Sequence, residues 1–314
     1  MASRSTRLFV AGLALGAWLV LMTACGQGDA PGQTNQEHQI DPVSSSGKGG
    51  VCLLPAATSH LVAMGLESRL VGRASWDPVA PEGLPLVYTN TLDYEALLKV
   101  KPKWVITSSR ATGPDERLLK LAEQAGFAVH DYKYPESIDD AINLLVAGDG
   151  DTPGMGQVLG IESQAGALAK KIRGQLETIR QAGERAGLKH GKPRVLAVFS
   201  LDPVIVLGPN TVADELITIA GGINAADVSG AGKTVQMDHE HLYSVNPDLI
   251  LILSPGAPPL TTEDPRTQAI RSVPVKAVEH GRIVLIDDLQ VLLSGARIGF
   301  VAEQFYQAIF PTHE

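Results

Sequence analysis

The chain of 314 residues has two cysteines, Cys25 and Cys52, only 5% aromatic residues, no block of basic residues and no apolar run of the length a membrane-spanning helix needs. Each scarcity excludes something. With 26 Lys+Arg against 34 Asp+Glu, the formal charge is -8, and no basic block could release counterions from a nucleic acid. No nucleic-acid partner is expected. The longest apolar stretch, Leu8 to Met22, falls short of the roughly 20 residues that span a bilayer. Catalytic signatures are also missing, since no nucleophile elbow or paired catalytic acid stands out. Three sequences that imitate such signatures fail on spacing. Gly230-Ala231-Gly232-Lys233-Thr234 ends like a phosphate-binding loop, but Asp227 stands where its first glycine belongs and would repel a phosphate. Asp149-Gly150-Asp151-Thr152-Pro153-Gly154 opens like a calcium loop, yet Pro153 takes a ligand position and Gly160 the place of the bidentate Glu. It reads as a turn. His239 and His241 are two residues apart, so on a helix they do not share a face for chelating one ion.

What is present begins at the N-terminus. Arg4 and Arg7 precede the apolar run, and Thr23, Ala24 and Cys25 follow it, which is the pattern of a secretory signal over residues 1–24. The segment Leu21-Met22-Thr23-Ala24-Cys25 resembles the lipobox of bacterial lipoproteins, with Met22 where Leu is usual. That resemblance implies cleavage before Cys25 and lipidation of its sulfur and nitrogen. Loss of Arg4 and Arg7 takes the charge from -8 to -10. Cys52, in the apolar run Val51-Cys52-Leu53-Leu54, is left without a partner and reads as a small buried hydrophobe. Residues 25–49 are Gly, Gln, Asp, Ser and Pro with almost nothing to bury, and read as a disordered tether. Such a coil has an end-to-end distance of about 25 to 30 Å.

Two segments repeat at an offset of 145 residues. Leu92-Asp93-Tyr94-Glu95-Ala96-Leu97 through Ile106 matches Met237-Asp238-His239-Glu240-His241-Leu242 through Leu251, with Asp, Glu, Leu, Val and Pro in register. Each copy predicts a short helix capped by the Asp, a proline-marked turn and a buried strand. Further strands are expected around residues 51–54, 70–72, 128–130, 194–200 and 283–286, alternating with helices at 57–65, 114–126, 211–220 and 296–310. The alternation predicts an α/β fold of two Rossmann-like lobes with parallel sheets, at 50–157 and 188–314. One long connecting helix is expected over 158–187, where Leu168, Ile172 and Leu176 share a face. A ligand site would then lie between the lobes at the carboxyl ends of the strands.

Over about residues 50 to 310 the chain resembles the periplasmic binding protein family for iron siderophores, haem and cobalamin. The resemblance is carried by Leu53 to Thr58 with Met64-Gly65-Leu66 and Leu70-Val71-Gly72, by both copies of the repeat, and by Gly208 to Thr211 with Ala220-Gly221-Gly222. It implies an extracytoplasmic, lipid-anchored binding component of an ABC importer, at the outer face of the cytoplasmic membrane or in the periplasm. Its expected partners are permease and ATPase subunits, and the membrane is reached through the anchor at Cys25. No catalysis and no resident cofactor are expected, and a monomer is. Glu95 and Glu240 match the acidic residue that each lobe of the family turns to arginines of the permease. An acidic residue in a first helical turn also complements the helix dipole, which is the competing reading of each.

On that fold the pocket would be built from loops carrying Trp76, Tyr88, Arg110, Phe199 and Arg297. The aromatics suit a flat ligand, while Arg110 and Arg297 would suit an anionic ferric chelate. Tyr88, seven residues before Glu95, resembles in placement the tyrosine that ligates iron in haem-binding relatives; Val87 precedes it where Gly is usual, and Thr89-Asn90-Thr91 follow where an Arg is usual. Iron siderophore, haem and cobalamin stay open as ligands. A zinc- or manganese-binding relative would gather His and carboxylates from both lobes, and His60, His130 and His280 leave that open. The rival readings are a metal-dependent enzyme on a two-lobed scaffold and a sensor lipoprotein without a transporter.

Overall fold

Short apolar runs separated by helical segments fold here into two α/β lobes joined by one helix. The computed structural model describes residues 49–108, 115–227, 232–256, 258 and 264–311, all within one unit spanning residues 42–314. The expected signal, Cys25 and all of the tether but Gly49 lie outside the described residues, as do Arg110 and the Gly230-Ala231 half of the phosphate-loop imitation. No described helix is long and apolar enough to cross a membrane.

The first lobe runs β1 (Gly50–Cys52), α1 (Pro55–Ala63), β2 (Leu70–Ala74), β3 (Leu86–Tyr88), α2 (Tyr94–Lys99), β4 (Trp104–Ser108), α3 (Glu116–Ala125), β5 (Ala128–Tyr132) and α4 (Ile138–Val146). Its strands pair in the order β3-β2-β1-β4-β5, all parallel, with Val51 beside Val105 and Cys52 beside Ile106. Helices cover both faces of such a sheet, so its central strands are apolar throughout. Val51, Val105 and Ile106 are fully buried. Cys52 is buried too, donates from Sγ to the Leu54 carbonyl, and has its pKa pushed up to about 12, chiefly by burial.

After α5 (Met155–Val158) comes α6 (Glu162–His190), 29 residues in one helix. It starts later than expected because Gly160 (φ 63°) breaks the chain between α5 and α6, and it runs on to Gly191 (φ 82°). Leu168, Ile172 and Leu176 are buried along one face, each burial stabilising by about 1.5–3 kcal/mol.

The second lobe runs β6 (Arg194–Leu201), β7 (Val204–Leu207), α7 (Val212–Ile219), β8 (Ile223–Asn224), β9 (Thr234–Gln236), α8 (His239–Val245), β10 (Leu249–Leu253), α9 (Gln268–Arg271), α10 (Lys276–Glu279), β11 (Ile283–Ile286) and α11 (Ile298–Ile309). Its sheet has the order β11-β10-β6-β7-β9, with β8 beside β6. The expectation of a parallel sheet is corrected here. β7 runs antiparallel to both β6 and β9, because the two residues Asp202-Pro203 between β6 and β7 can join only antiparallel neighbours. The sheet is mixed, and Phe199 lies within β6 rather than on a loop. Helix α6 packs against α4 of the first lobe and against α7 and α11 of the second.

The repeat is visible in the backbone. Asp93 caps α2 by accepting from the amides of Glu95 and Ala96, and Asp238 caps α8 by accepting from that of His241. Leu97 and Leu242 are the buried anchors of the two helices. Lys101 (φ 48°) and Asn246 (φ 42°), at equivalent positions, both adopt the left-handed conformation just before the proline. Such a residue ends a helix and turns the chain into the next strand.

One helix contact leaves no space for a side chain. A Cβ on Gly183 of α6 would lie 2.6 Å from the backbone carbon of Ala220 and 2.7 Å from the Gly221 nitrogen. Gly183→Ala is therefore expected to destabilise by about 1–3 kcal/mol. Gly174→Ala on the same helix meets nothing within 4 Å and should stabilise by up to about 1 kcal/mol. Thermal melts of the two variants, moving in opposite directions, check this.

Candidate functional site

The carboxyl ends of the first lobe's parallel strands open onto a cleft of about 2320 Å³. Leu53 to Pro55 follow β1, Trp76 follows β2, Tyr88 ends β3, Ser108 ends β4 and Tyr132 ends β5, and all line it. The second lobe contributes Phe199, Leu292 and Leu293, an apolar wall facing a polar one. This is where strand ends leave side chains free of the sheet to meet a ligand.

Three of the five sequence-read ligand residues meet there. Trp76 and Tyr88 stand edge to face, ring centroids 6.1 Å apart and planes at 88°. Phe199 lies on the opposite wall, and both Trp76 and Phe199 keep about half of their surface exposed (49% and 48%), which large aromatics seldom do in a finished core. Arg110 lies outside the described residues. Arg297 is not among the residues lining the cleft. Its guanidinium holds the Asp288 carboxylate at 2.5 Å and lies 4.3 Å over the Phe300 ring. What it does is brace the segment 288–297, which also meets the first lobe: Ser59 Oγ donates to Gln290 Oε1 at 2.5 Å and accepts from the Ala296 amide at 2.9 Å. Leu292 and Leu293 ride on that segment.

Other cleft residues were not singled out from sequence. Four of the chain's six tyrosines, Tyr88, Tyr94, Tyr132 and Tyr134, line the cleft. Tyr94 donates a short hydrogen bond to the Asp115 carboxylate, and Arg117 lies 4.2 Å over its ring. Burial raises the Tyr94 pKa, helped by Asp115, and the bond from Tyr94 lowers that of Asp115. The one available signal was position: Tyr94 sits between Asp93 and Glu95 inside the repeat, where the second copy has His239.

Glu95 and Glu240 occupy the first turns of α2 and α8, both exposed. Among the described residues neither carboxylate has a hydrogen-bond or salt-bridge partner. Glu240 borders a second hollow of about 460 Å³, together with Asp202, Asp238, His239 and Met237. The imitations resolve as ordinary structure. Asp149 accepts from the amides of Lys133, Asp151 and Thr152 and so closes a turn, and burial, which raises its pKa, is outweighed by those bonds, which lower it. Lys233 reaches Glu136 of the first lobe at 2.6 Å. His239 Nε2 lies 3.3 Å from Ser272 Oγ, and His241 pairs with Asp238. No group of three His, Cys, Asp or Glu placed to hold a metal ion occurs among the described residues.

Two α/β lobes with a ligand cleft between them define a substrate-binding component of the ABC importer type. A family model described as periplasmic binding protein matches residues 51–289, and the chain belongs to that family. An uncharacterised ABC transporter substrate-binding lipoprotein of Bacillus subtilis, YvrC, is 24% identical over 83% of this chain and 79% of its own. The apo structure of the periplasmic heme-binding protein RhuT from Roseiflexus sp. RS-1 superposes with a TM-score of 0.64 at 25% identity, covering 84% of this chain and all of that one. The periplasmic vitamin B12 binding protein BtuF of Vibrio cholerae shares the fold, with a TM-score of 0.61 at 20% identity over 83% of this chain and 97% of its own.

Proposed function

We propose that the cleft captures a flat metal chelate, a haem, a corrinoid or a ferric siderophore, for delivery to an ABC permease and its ATPase subunits. The observation that carries this is the aromatic concentration: in a chain with 5% aromatic residues, Trp76, Phe199 and four tyrosines surround one inter-lobe cleft. Aromatic faces contribute large contact area to planar ligands at small entropic cost. The related folds named for heme and vitamin B12 binding support the same ligand class. Glu95 and Glu240, at matching places in the two copies and without partners among the described residues, are the docking carboxylates in this reading, and Cys25 carries the lipid that holds the protein at the membrane.

Absorbance titration of the purified protein with haemin, cobalamin and ferric siderophores tests the ligand class. A stoichiometric band shift is expected with at least one of them, weakened about tenfold or more in Trp76→Ala and Tyr88→Ala. Loss of a Soret shift in Tyr88→Ala would assign that residue to haem iron. Binding to none of the three would remove the ligand class, and turnover of a bound compound would favour an enzyme instead.

A further inference from the structure

We infer that the permease meets each lobe through two side chains of one helix face, a glutamate and an exposed apolar residue one turn further on. These are Glu95 with Leu98 on α2, and Glu240 with Tyr243 on α8. The inference rests on the docking reading of the two glutamates and supplies the apolar half of that contact.

Leu98 and Tyr243 are the same position of the 145-residue repeat. Wherever both copies carry a large apolar residue, it is buried or half-buried in both, as at Leu92 and Met237, Leu97 and Leu242, Val100 and Val245, and along the strands that follow. This pair is the exception. Leu98 keeps 40% of its surface exposed and Tyr243 61%. Leu97 and Leu242, one residue earlier, anchor the helices to their cores, so neither Leu98 nor Tyr243 is needed to hold its helix down. A single exposed apolar residue is ordinary on any surface. One that recurs in register on both lobes, beside a recurring glutamate, marks a contact surface.

Residues three apart on a helix are neighbours on its surface, about 5–6 Å between Cβ atoms. Each glutamate and its apolar residue therefore form one footprint. On the second lobe the hollow beside Glu240 extends it, where Leu201, Val204 and Met237 line the surface together with Asp202, Asp238 and Glu240. That lining suits a permease segment carrying an apolar side chain next to an arginine or lysine. Two copies of this chain apposed through α8 would set Asp238 and Glu240 against themselves, and like charges across an interface are costly. The two halves of the footprint act at different stages. Charge steers encounter and is weakened by salt, whereas desolvated apolar contact slows departure.

Binding kinetics between the purified protein and its cognate permease–ATPase complex in lipid nanodiscs separate them. Leu98→Gln with Tyr243→Gln places a good helix former at both positions. It should raise the dissociation rate about tenfold or more, at low and high salt alike, and leave association unchanged. Glu95→Lys with Glu240→Lys should instead slow association, most strongly at low salt. Tyr243→Phe should behave as wild type, and so should Leu188→Gln, whose leucine is 89% exposed on α6 outside the repeat. Melts check the fold, and Leu98→Ala with Tyr243→Ala replaces the Gln pair if that pair melts lower. A wild-type dissociation rate in the apolar variant, or an equal effect from Leu188→Gln, overturns the inference and leaves docking by the glutamates standing. Wild-type association of the glutamate variant at every salt concentration overturns the docking reading, and the paired contact with it. A protein that dimerises in solution and becomes monomeric in the apolar variant assigns the patches to a second copy and overturns the inference.

Discussion

Glu95→Lys combined with Glu240→Lys is expected to abolish transporter-dependent uptake of the cleft's ligand while leaving the protein folded and its ligand affinity unchanged. Each glutamate stands in the first turn of a short helix, α2 or α8, one position past the start of a helix capped by the equivalent Asp. Both carboxylates are exposed and none of the described residues pairs with them, so their charge is available to a partner. Their intramolecular contribution is a helix-dipole term of about 0.3 to 1 kcal/mol each, too small for reversal to unfold a domain whose stability is about 5–15 kcal/mol. A docked interface responds differently. A lysine against a permease cation replaces attraction by repulsion, and truncating or reversing one charge of such a pair costs about 2–5 kcal/mol. The two copies should contribute comparably, so each single variant should reduce uptake and the pair should eliminate it. Uptake assays, with ligand titration and a melt as controls, decide the matter. Normal uptake by the double variant would refute docking through these residues and favour a sensor without a transporter.

A second large effect is expected from His60. Its ring is fully buried in α1, and among the described residues neither ring nitrogen has a hydrogen-bond partner. Burial pulls its pKa from 6.5 down to about 3. The folded protein therefore keeps the ring neutral through a range in which the unfolded chain takes up a proton. Stability attributable to this residue is intact above pH 6.5 and falls as the pH drops toward 3, because only the unfolded state gains from protonation. Between pH 6.5 and 5 the loss is about 2 kcal/mol, a melting decrease of roughly 4–8 °C for a body of this size. His60→Leu should reduce that slope and leave the melt at pH 7.5 equal or higher, since an apolar side chain of similar size removes two unsatisfied polar atoms. A variant that keeps the full slope between pH 6.5 and 5 would show that another group carries it. His130, whose pKa burial also lowers, contributes in the same window and keeps part of the slope in the variant.

The site was partly legible before the fold was known. Trp76, Tyr88 and Phe199 were singled out from sequence, and the structure gathers them at one cleft. Arg297 was read beside them, and the structure places it against Asp288 instead. The difference lies in what each inference needs. An aromatic residue at or near the carboxyl end of a strand, as Trp76, Tyr88 and Phe199 are, is directed to the cleft by the topology itself. The partner of an arginine depends on which carboxylate the tertiary fold brings within reach. Tyr94, Asp115 and Arg117 were missed for that reason: their contact joins residues 21 positions apart through packing that no periodicity announces.

By itself the sequence determined what is set within a few residues or by repetition at a distance. The 145-residue repeat placed two Asp-capped helices, each with its glutamate and its buried leucine, and the proline-marked turn that follows each. Apolar periodicity placed the bridging helix to within a few residues of Glu162–His190. Tertiary structure decided what depends on long-range juxtaposition. It made the second sheet mixed, because β7 folds back at Asp202-Pro203, and it joined Lys233 to Glu136 across 97 residues. It also collected six carboxylates, from strand, helix and turn, around one cleft. Capping and amphipathic burial act over single helical turns and can be read in order along the chain. Charge balance inside a cleft is a sum over side chains that only the packed lobes bring together.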